Sequence, residues 1–239
     1  MKFNDKNKPV MVITGTSKGV GREVALDFLG NGYYVAGCSR GVSTIQDDSY
    51  LHSQVDISDE KQVQIWIRSL KKNLGRVDFL VCMAGVLNSF SHVALTSGSS
   101  LMSFLNVNIA GTFYVCREVS KLMIAERNGS IITISSIMTH LHEPGAAVYS
   151  LSKSAIVEMT KVLAKEVAAM NINCNVIAPS YMITDATKTF KSDYAATMLE
   201  KQTIKRPVTA KEVSNIISFF CAPESKCITG QVISMGLVC

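Results

Sequence analysis

The fold is decided by the segment Val10–Gly21, which reads VMVITGTSKGVG. Five apolar or β-branched residues are followed by three glycines, and a helical pattern of apolar residues begins at Val20. In a glycine-rich turn between a strand and a helix, backbone N–H groups can approach a phosphate, and the helix N-terminus adds a favourable dipole. The glycine order, G-x-x-x-G-x-G, differs from the G-x-G-x-x-G of the familiar dinucleotide fingerprint. We predict a phosphate-binding loop formed by Gly15, Thr16, Ser17, Lys18, Gly19, Val20 and Gly21.

Outward from this loop, short β-branched runs alternate with longer amphipathic segments. This alternation is typical of a parallel sheet covered by helices on both faces. It predicts a three-layer α/β/α, doubly wound parallel sheet of about seven strands, in a single domain over residues 1–239. The predicted strands are Val10–Thr14, Tyr33–Gly37, Ser53–Asp56, Val77–Met83, Ser130–Ser135, Asn173–Ala178 and Gln231–Ser234. The predicted helices are Val20–Leu29, Glu60–Asn73, Ser99–Glu126, Ala147–Met170, Thr187–Gln202 and Ala210–Cys221. The segment Gly41–His52 is short for a crossover, so we expect little or no helix there.

Composition excludes several classes of protein. Of the 239 residues 47% are apolar and 18% charged, which excludes a disordered chain. The net charge of +5 is spread along the sequence, so we expect no nucleic-acid partner. The polar start, Met1–Pro9, has no signal-peptide core, and no apolar run is long enough for a membrane span.

The cysteines and histidines predict neither disulfides nor a metal. Seven cysteines occur without a C-x-x-C pair. They are typical of reduced, mostly buried thiols in a cytoplasmic protein. His140 and His142 fall in a segment expected to border a ligand. No Cys or acid stands at metal-ligand spacing from them, so we predict no metal and interpret both as solvated loop residues.

The end of the second predicted strand indicates the kind of nucleotide. A carboxylate there would accept hydrogen bonds from ribose hydroxyls and repel a 2′-phosphate. The chain instead has Ser39 and Arg40, and the Arg40 guanidinium together with Lys18 can bind a phosphate. This favours NADPH over NADH, although both cations would also be ordinary at a surface. Asp56, beside Ile57, is expected to accept a hydrogen bond from adenine unless it caps the next helix.

A candidate catalytic group lies in the second half of the chain. Tyr149 and Lys153 are spaced i, i+4 and share one helix face. A free tyrosine has a pKa of about 10, and a nearby ammonium lowers it towards the range useful for acid–base catalysis. Ser136 closes a predicted strand, where its hydroxyl can donate to a substrate carbonyl. Asn108 is a mediocre helix former inside a long helix. It is expected to hold a water beside Lys153, with a capped kink as the alternative.

Together these residues resemble the short-chain dehydrogenase/reductase family, and the likeness covers essentially the whole chain. In family order it runs through Thr14–Gly21, Asp56, Ala84, Gly85, Asn108, Ser136, Tyr149, Lys153 and Pro179–Asp185. The resemblance implies hydride transfer from nicotinamide to a carbonyl. It makes Tyr149 the proton donor, Ser136 the substrate polariser, and Lys153 the partner of Tyr149 and the nicotinamide ribose. It also makes Asn108 the water anchor and adds Ala84, Gly85, Pro179, Met182 and Thr184 to the cofactor contacts, with Thr184 at the carboxamide.

Within the family, the chain is most similar to the 3-oxoacyl carrier-protein reductases of fatty-acid synthesis. This resemblance rests on Gly129–Ile134, Asn175–Pro179 and Ile228–Gln231, and it implies a 3-oxoacyl thioester substrate carried by an acyl carrier protein. The chain departs from the pattern at Met83, Ser180 and Ser234–Gly236. Of two basic residues that grip the carrier, only Arg127 is matched, since Met170 replaces the other. A reductase of another small carbonyl, from secondary metabolism or sugar synthesis, and a non-catalytic NADP-sensing module are the alternatives.

The remaining expectations concern the substrate end and the assembly. The polar segment 187–205 is predicted to form a flap over the substrate and favours a small polar or thioester-tethered carbonyl. By the family resemblance, the helices Ser99–Glu126 and Ala147–Met170 pair across a dimer, and dimers form a homotetramer.

Overall fold

Seven strands pair into one parallel sheet in this computed structural model, which describes residues 8–87, 90–184, 187 and 192–238. They are β1 (Val10–Thr14), β2 (Tyr34–Ser39), β3 (Tyr50–Gln54), β4 (Phe79–Cys82), β5 (Gly129–Ile134), β6 (Ile172–Pro179) and β7 (Val232–Met235). The spatial order is β3-β2-β1-β4-β5-β6-β7, and each pairing is parallel. The predicted doubly wound α/β/α architecture is confirmed.

Helices cover both faces of the sheet. They are α1 (Gly19–Gly30), α2 (Glu60–Leu74), α3 (Gly98–Phe104), α4 (Thr112–Glu126), α5 (Met138–Leu141), α6 (Ala147–Val167), α7 (Ser192–Lys201) and α8 (Ala210–Cys221). Apolar residues of α2, α4 and α6 form one core cluster with the sheet, and those of α1 and α8 form a second on the opposite face. In β1, Val12 belongs to the first cluster, and Met11 and Ile13 belong to the second. This strand is therefore apolar throughout because alternate side chains enter two different cores.

The order of the strands in the sheet changes direction at β1. β2 and β3 lie on one side of this strand, whereas β4 to β7 lie on the other. The loops after β1 and β4 therefore separate and leave a crevice at the carboxyl ends of the strands, where ligands bind in open α/β sheets.

The third strand differs from the prediction. It spans Tyr50–Gln54, not Ser53–Asp56, because pairing with β2 begins at Val35 opposite Tyr50. The strand ends before Asp56, whose Oδ1 accepts hydrogen bonds from the N–H and hydroxyl of Ser58 and starts a turn. The expectation of no helix between β2 and β3 is confirmed.

The long predicted helix Ser99–Glu126 is interrupted. Residues Leu105–Gly111 form a π-helix between α3 and α4, so one regular helix becomes three segments. The helix predicted at Ala147–Met170 begins as expected, but its last three residues form a 3₁₀ turn.

Two buried hydrogen bonds fix α6 against β5. The hydroxyls of Thr133 and Thr160 lie 2.8 Å apart, and Ser135 Oγ donates to Lys153 O at 3.0 Å. These contacts set the position of the helix that carries Tyr149. Among the helices in the described ranges, none has the length and apolar content needed to cross a membrane.

Candidate active site

A cavity of about 790 Å³ occupies the crevice at the switch point. Its size is within the usual range for a small-molecule site. Most predicted cofactor residues line it: Gly15, Ser17, Lys18, Gly19, Val20, Gly21, Ser39, Arg40, Asp56, Ile57, Ala84, Gly85, Tyr149, Lys153, Pro179, Met182 and Thr184. Ser136 also lines the cavity, whereas Thr16 and Asn108 do not.

The glycines of the loop after β1 are required by close backbone approach. Gly15 has φ of +83°, and a Cβ there would lie 3.0 Å from the backbone of Ala84. A Cβ on Gly21 would collide with the carbonyl oxygen of Gly15. The loop is therefore pressed against the end of β4, and the first turn of α1, which begins at Gly19, lies directly over it. This leaves backbone N–H groups of the helix N-terminus at the cavity wall.

The end of β2 presents cations to the same cavity. Arg40 and Lys18 are both exposed and both line it. Within the described part of the chain, neither side chain has a hydrogen-bond or ion-pair partner, so both are available to an anion. Their guanidinium and ammonium groups suit a phosphate.

Asp56 lines the cavity and is not the cap of the following helix. The N-cap of α2 is Asp59, whose side chain accepts hydrogen bonds from the N–H groups of Lys61 and Gln62. The capping alternative considered for Asp56 is therefore wrong. One oxygen of Asp56 is engaged by Ser58.

Ser136, Tyr149 and Lys153 meet at the other end of the cavity. Ser136 Oγ accepts a hydrogen bond from Met138 N at 3.2 Å, which orients the hydroxyl. Lys153 Nζ lies 5.8 Å from the centre of the Tyr149 ring and donates to Ile134 O at 2.9 Å. The spacing of Tyr149 and Lys153 on one helix face thus produces the predicted pair.

Burial is the largest cause of the pKa shifts of Tyr149 and Lys153. Burial raises the pKa of Tyr149, and a hydrogen bond with Ser136 opposes the rise. Burial also lowers the pKa of Lys153 to about 8, with Cys82 acting in the opposite direction. The expected lowering of the Tyr149 pKa by the Lys153 ammonium is therefore not observed, because removing the phenolate from water costs more.

Asn108 braces the site from behind. It is fully buried in the π-helix, its Oδ1 accepts from Val86 N at 2.8 Å, and its Nδ2 donates to Val86 O and Ser152 Oγ. Both amide hydrogens are thereby used. The side chain ties the π-helix to the segment after β4 and to α6, and any water would have to bind the remaining lone pair of Oδ1 or the backbone. π-Helical turns occur often at functional sites.

Met83 is one of the positions at which the chain departs from the family pattern. It lines the cavity and packs against the core cluster of α1 and α8. The end of β4 is instead held by Ala84 N, which donates to Thr14 Oγ1 at 2.9 Å. A hydrogen bond from a main-chain N–H to the Thr14 side chain of the neighbouring strand therefore positions this part of the cavity wall.

The end of the cavity near Tyr149 is apolar and aromatic. Its described lining includes Phe90, Met138, Tyr181, Tyr194 and Met198, which pack around Tyr149. Phe90 lies 5.7 Å from the ring of Tyr194 and 6.3 Å from that of Tyr149. This lining favours an apolar substrate group over the small polar one indicated by the threonine-rich flap sequence.

Other cavity residues were not singled out from the sequence, although Thr187 and Gln202 lie in the predicted flap segment 187–205. Gly41 and Val42 extend the wall beyond Arg40. Thr187 pairs with Thr184, whose N–H donates to Thr187 Oγ1 at 2.7 Å. Gln202 also lines the cavity, but its amide binds the backbone of Tyr181, Ile204 and Arg206. Only the threonine-rich composition of 184–189 gave a signal for any of them.

The histidines and cysteines contribute no metal centre to the described residues. His140 and His142 are exposed and do not line the cavity. Within the described ranges, no group of three His, Cys, Asp or Glu side chains could hold a metal ion. Five cysteines are buried and Cys227 is exposed, whereas Cys239 lies outside the described residues, as do Asp185 and residues 188–191.

A glycine loop at the switch point of a parallel sheet, sharing one cavity with a Ser-Tyr-Lys group, defines a nucleotide-dependent oxidoreductase. A family model described as enoyl-(acyl carrier protein) reductase matches residues 15–236. The chain belongs to the short-chain dehydrogenase/reductase family, which confirms the resemblance found in the sequence.

Relatives and solved structures match nearly the whole chain. Carbonyl reductase family member 4 of Xenopus laevis is 34% identical over 229 residues, covering 94% of each chain. The 3-oxoacyl-[acyl-carrier-protein] reductase FabG of Thermotoga maritima is 32% identical over 240 residues, covering 96% of this chain and 97% of the relative. ElxO, solved with NADP bound, superposes with a TM-score of 0.88 at 30% identity, covering 95% of this chain and 96% of that one.

Proposed function

We propose that the chain is an NADPH-dependent reductase that converts a ketone to a secondary alcohol, with a 3-oxoacyl thioester as the favoured substrate. The observation that carries the proposal is that one cavity spans both groups of residues. It joins the glycine loop and Arg40 at one end to Ser136, Tyr149 and Lys153 at the other. The relatives named as carbonyl and 3-oxoacyl carrier-protein reductases support the same reaction class.

The residues present fit a phosphorylated dinucleotide. Gly15 and Gly21 leave room where side chains would close the loop, and α1 directs its N-terminus at the same wall. Arg40 and Lys18 offer two cations to a 2′-phosphate, and ElxO was solved with NADP bound. When bound, NADPH supplies the hydride.

The remaining chemistry belongs to the side chains at the Tyr149 end. Ser136 donates a hydrogen bond to the substrate carbonyl oxygen, and the Tyr149 hydroxyl gives its proton to the developing alkoxide. The Lys153 ammonium stabilises the phenolate that remains and has N–H groups left to bind a ribose hydroxyl, since Ile134 O uses one of them. Phe90 and Met138 exclude water from the reacting carbonyl.

An assay of NADPH oxidation with acetoacetyl thioesters and simple ketones tests this function. We expect turnover with both and a loss of at least about a hundredfold in Tyr149→Phe, in line with the contribution of a general acid. Tyr33→Phe is the matched control, because Tyr33 packs on Phe28 and Phe79 outside the cavity. Full activity in Tyr149→Phe, or no turnover of any carbonyl, would show that the proposal is wrong.

A second candidate is the reduction of a ketone that is not attached to a carrier protein. The matched basic residue, Arg127, already donates to Ala169 O at 2.9 Å, and Met170 offers no charge. Turnover of free ketones without turnover of thioesters would favour this candidate. Direct titration with acyl carrier protein separates the two, since only the first requires binding.

Self-association and a cytoplasmic location complete the proposal. Exposed apolar residues follow the long helices that the family pairs across a dimer, namely Met102, Phe113, Leu151 and Val162. Buried, such side chains would contribute to a stable interface. Light scattering coupled to gel filtration measures the assembly, and a monomeric mass would contradict this part of the proposal.

A further inference from the structure

A chain of hydrogen bonds connects the phosphate loop to the end of β2 through the edge strand β3. The Tyr50 hydroxyl donates to Thr16 Oγ1 at 2.8 Å and lies 2.9 Å from His52 Nδ1. On the other side of the ring, His52 Nε2 lies 2.9 Å from Gly41 O and 3.3 Å from Ser39 Oγ. We refer to Thr16, Tyr50 and His52 as the edge-strand triad.

The strand geometry and a glycine on β2 allow the three side chains of the triad to meet. Tyr50 and His52 are alternate residues of β3 and therefore share one face of the sheet. Gly37, on the neighbouring strand, leaves space for Tyr50 and Thr16, because a Cβ there would collide with the Tyr50 hydroxyl and with Thr16 Oγ1. Thr16 is fully buried, which explains why it contacts Tyr50 and not the cavity.

The partners of His52 fix the orientation of its ring. Gly41 O can only accept a hydrogen bond, so His52 Nε2 is the donor in this contact. Nδ1 faces the Tyr50 hydroxyl on the other side of the ring. The triad thus holds the carbonyl of Gly41 in place behind the end of β2.

The contact of His52 with Gly41 lies behind the wall that presents Arg40. His52 does not line the cavity, but its two Nε2 partners, Ser39 and Gly41, do, and Arg40 lies between them. Ser39 Oγ also donates to Gly41 O at 2.8 Å, which closes the turn around Arg40. The turn sets the position of Arg40, whose guanidinium favours a phosphate over a ribose hydroxyl.

We infer that His52 is a specificity-determining positioning residue for the 2′-phosphate of the cofactor. Its ring fixes the Ser39–Gly41 turn and so positions the Arg40 guanidinium for the 2′-phosphate. The inference rests on the proposed use of NADPH, and it concerns discrimination between cofactors and not the reducing step.

Binding measurements on two His52 variants test the inference. His52→Phe keeps a planar ring but removes the hydrogen bonds, whereas His52→Gln keeps a donor for Gly41 O. Ser53→Ala is the matched control, because Ser53 is the next residue of β3 and points to the opposite face. NADPH and NADH are titrated by fluorescence, and adenosine 2′,5′-bisphosphate and 5′-AMP are used as competitors that need no reducing step.

We expect His52→Phe to weaken the binding of NADPH and adenosine 2′,5′-bisphosphate about tenfold, because Gly41 O loses its donor and Arg40 its fixed position. NADH and 5′-AMP should bind as in the wild type, and His52→Gln should recover part of the loss. Equal weakening of phosphorylated and unphosphorylated ligands would reduce His52 to a structural role and overturn the inference. If His52→Phe does not fold, an unchanged NADPH-to-NADH ratio in His52→Ala, which also lacks the donor, overturns it instead. A wild type that prefers NADH contradicts the proposed cofactor, which is a separate failure.

Discussion

Lys153 combines burial with a function that needs its charge. Burial lowers its pKa to about 8, so its ammonium is present below that pH and is lost above it. In the proposed reaction the ammonium stabilises the Tyr149 phenolate. Activity and protonation of one buried lysine are therefore linked within an accessible pH range.

We predict that kcat/KM for ketone reduction falls as the pH rises through about 8, because the ammonium of Lys153 is then neutralised. The measurement is a pH–rate profile of wild type and Lys153→Arg. A guanidinium keeps its charge, so the variant should lose the fall near this pH even if it is slower overall. If kcat/KM falls near the same pH in Lys153→Arg, a group other than Lys153 causes the fall.

Arg40 provides a second prediction for a single residue. Replacing it by Ala removes a charged hydrogen-bond donor of the 2′-phosphate, and we expect the Kd for NADPH to rise about 10- to 100-fold. The Kd for NADH should stay within a factor of about two, since no phosphate is lost there. Arg68→Ala, an exposed site on α2, is the control. If the Kd values for NADPH and NADH rise by the same factor in Arg40→Ala, Arg40 has no specific role at the 2′-phosphate.

The π-helix is the element that most affects the site. It widens the helix at Asn108, and the amide reaches both the segment after β4 and Ser152 on α6. Gly111, its last residue, lets the helix approach the turn after β3, because a Cβ there would lie 2.7 Å from Ile57 Cγ1. Ile57 itself lines the cavity, so this contact couples helix geometry to the cofactor wall.

We therefore predict that Gly111→Ala lowers the free energy of unfolding by roughly 1–3 kcal/mol, as for other overpacked sites. Urea denaturation of both proteins measures the difference. Gly98→Ala, where a Cβ meets no atom within 4 Å, controls for the change in helix propensity. Equal stability of the two variants would mean that Ile57 moves aside at no cost.

The elements also show what the sequence could and could not predict. The glycine loop, Ser136 and the Tyr149–Lys153 pair were predictable because their spacing is local. A kink at Asn108 was only the alternative to a continuous helix, and a 3.6-residue periodicity does not distinguish a kink from a π-turn. The edge-strand triad was missed because its members meet only when β3 pairs with β2, and that strand was predicted several residues too late. The aromatic lining near Tyr149 was missed because Phe90 and Tyr194 are far apart in the chain and meet only in the folded protein.

At the scale of the whole molecule, the cavity draws on both sides of the switch point. Its walls come from β1 and β2 on one side and from the ends of β4, β5 and β6 on the other. A ligand in it binds only the assembled sheet. Ligand binding is therefore linked to global unfolding.

We predict that NADPH at a hundred times its Kd stabilises the protein by about 2.7 kcal/mol, with a matching rise in Tm. NADH at the same concentration should give a smaller shift, because it lacks the phosphate for Arg40. Thermal denaturation monitored by intrinsic fluorescence measures both. An equal shift with the two cofactors would contradict the proposed preference for NADPH.

The parallel sheet also constrains how this chain folds. The central strand β1 pairs with β2 on one side and, through Met11 and Phe79, with the distant β4 on the other. Each pairing in the described sheet is parallel, so no hairpin offers a quick local nucleus, and loop-closure entropy is lost before long-range contacts form. We therefore expect slow refolding, during which strand edges are exposed to other chains. The phosphate loop directly follows β1, which has to pair with both β2 and β4. We therefore expect the nucleotide site to form late in folding.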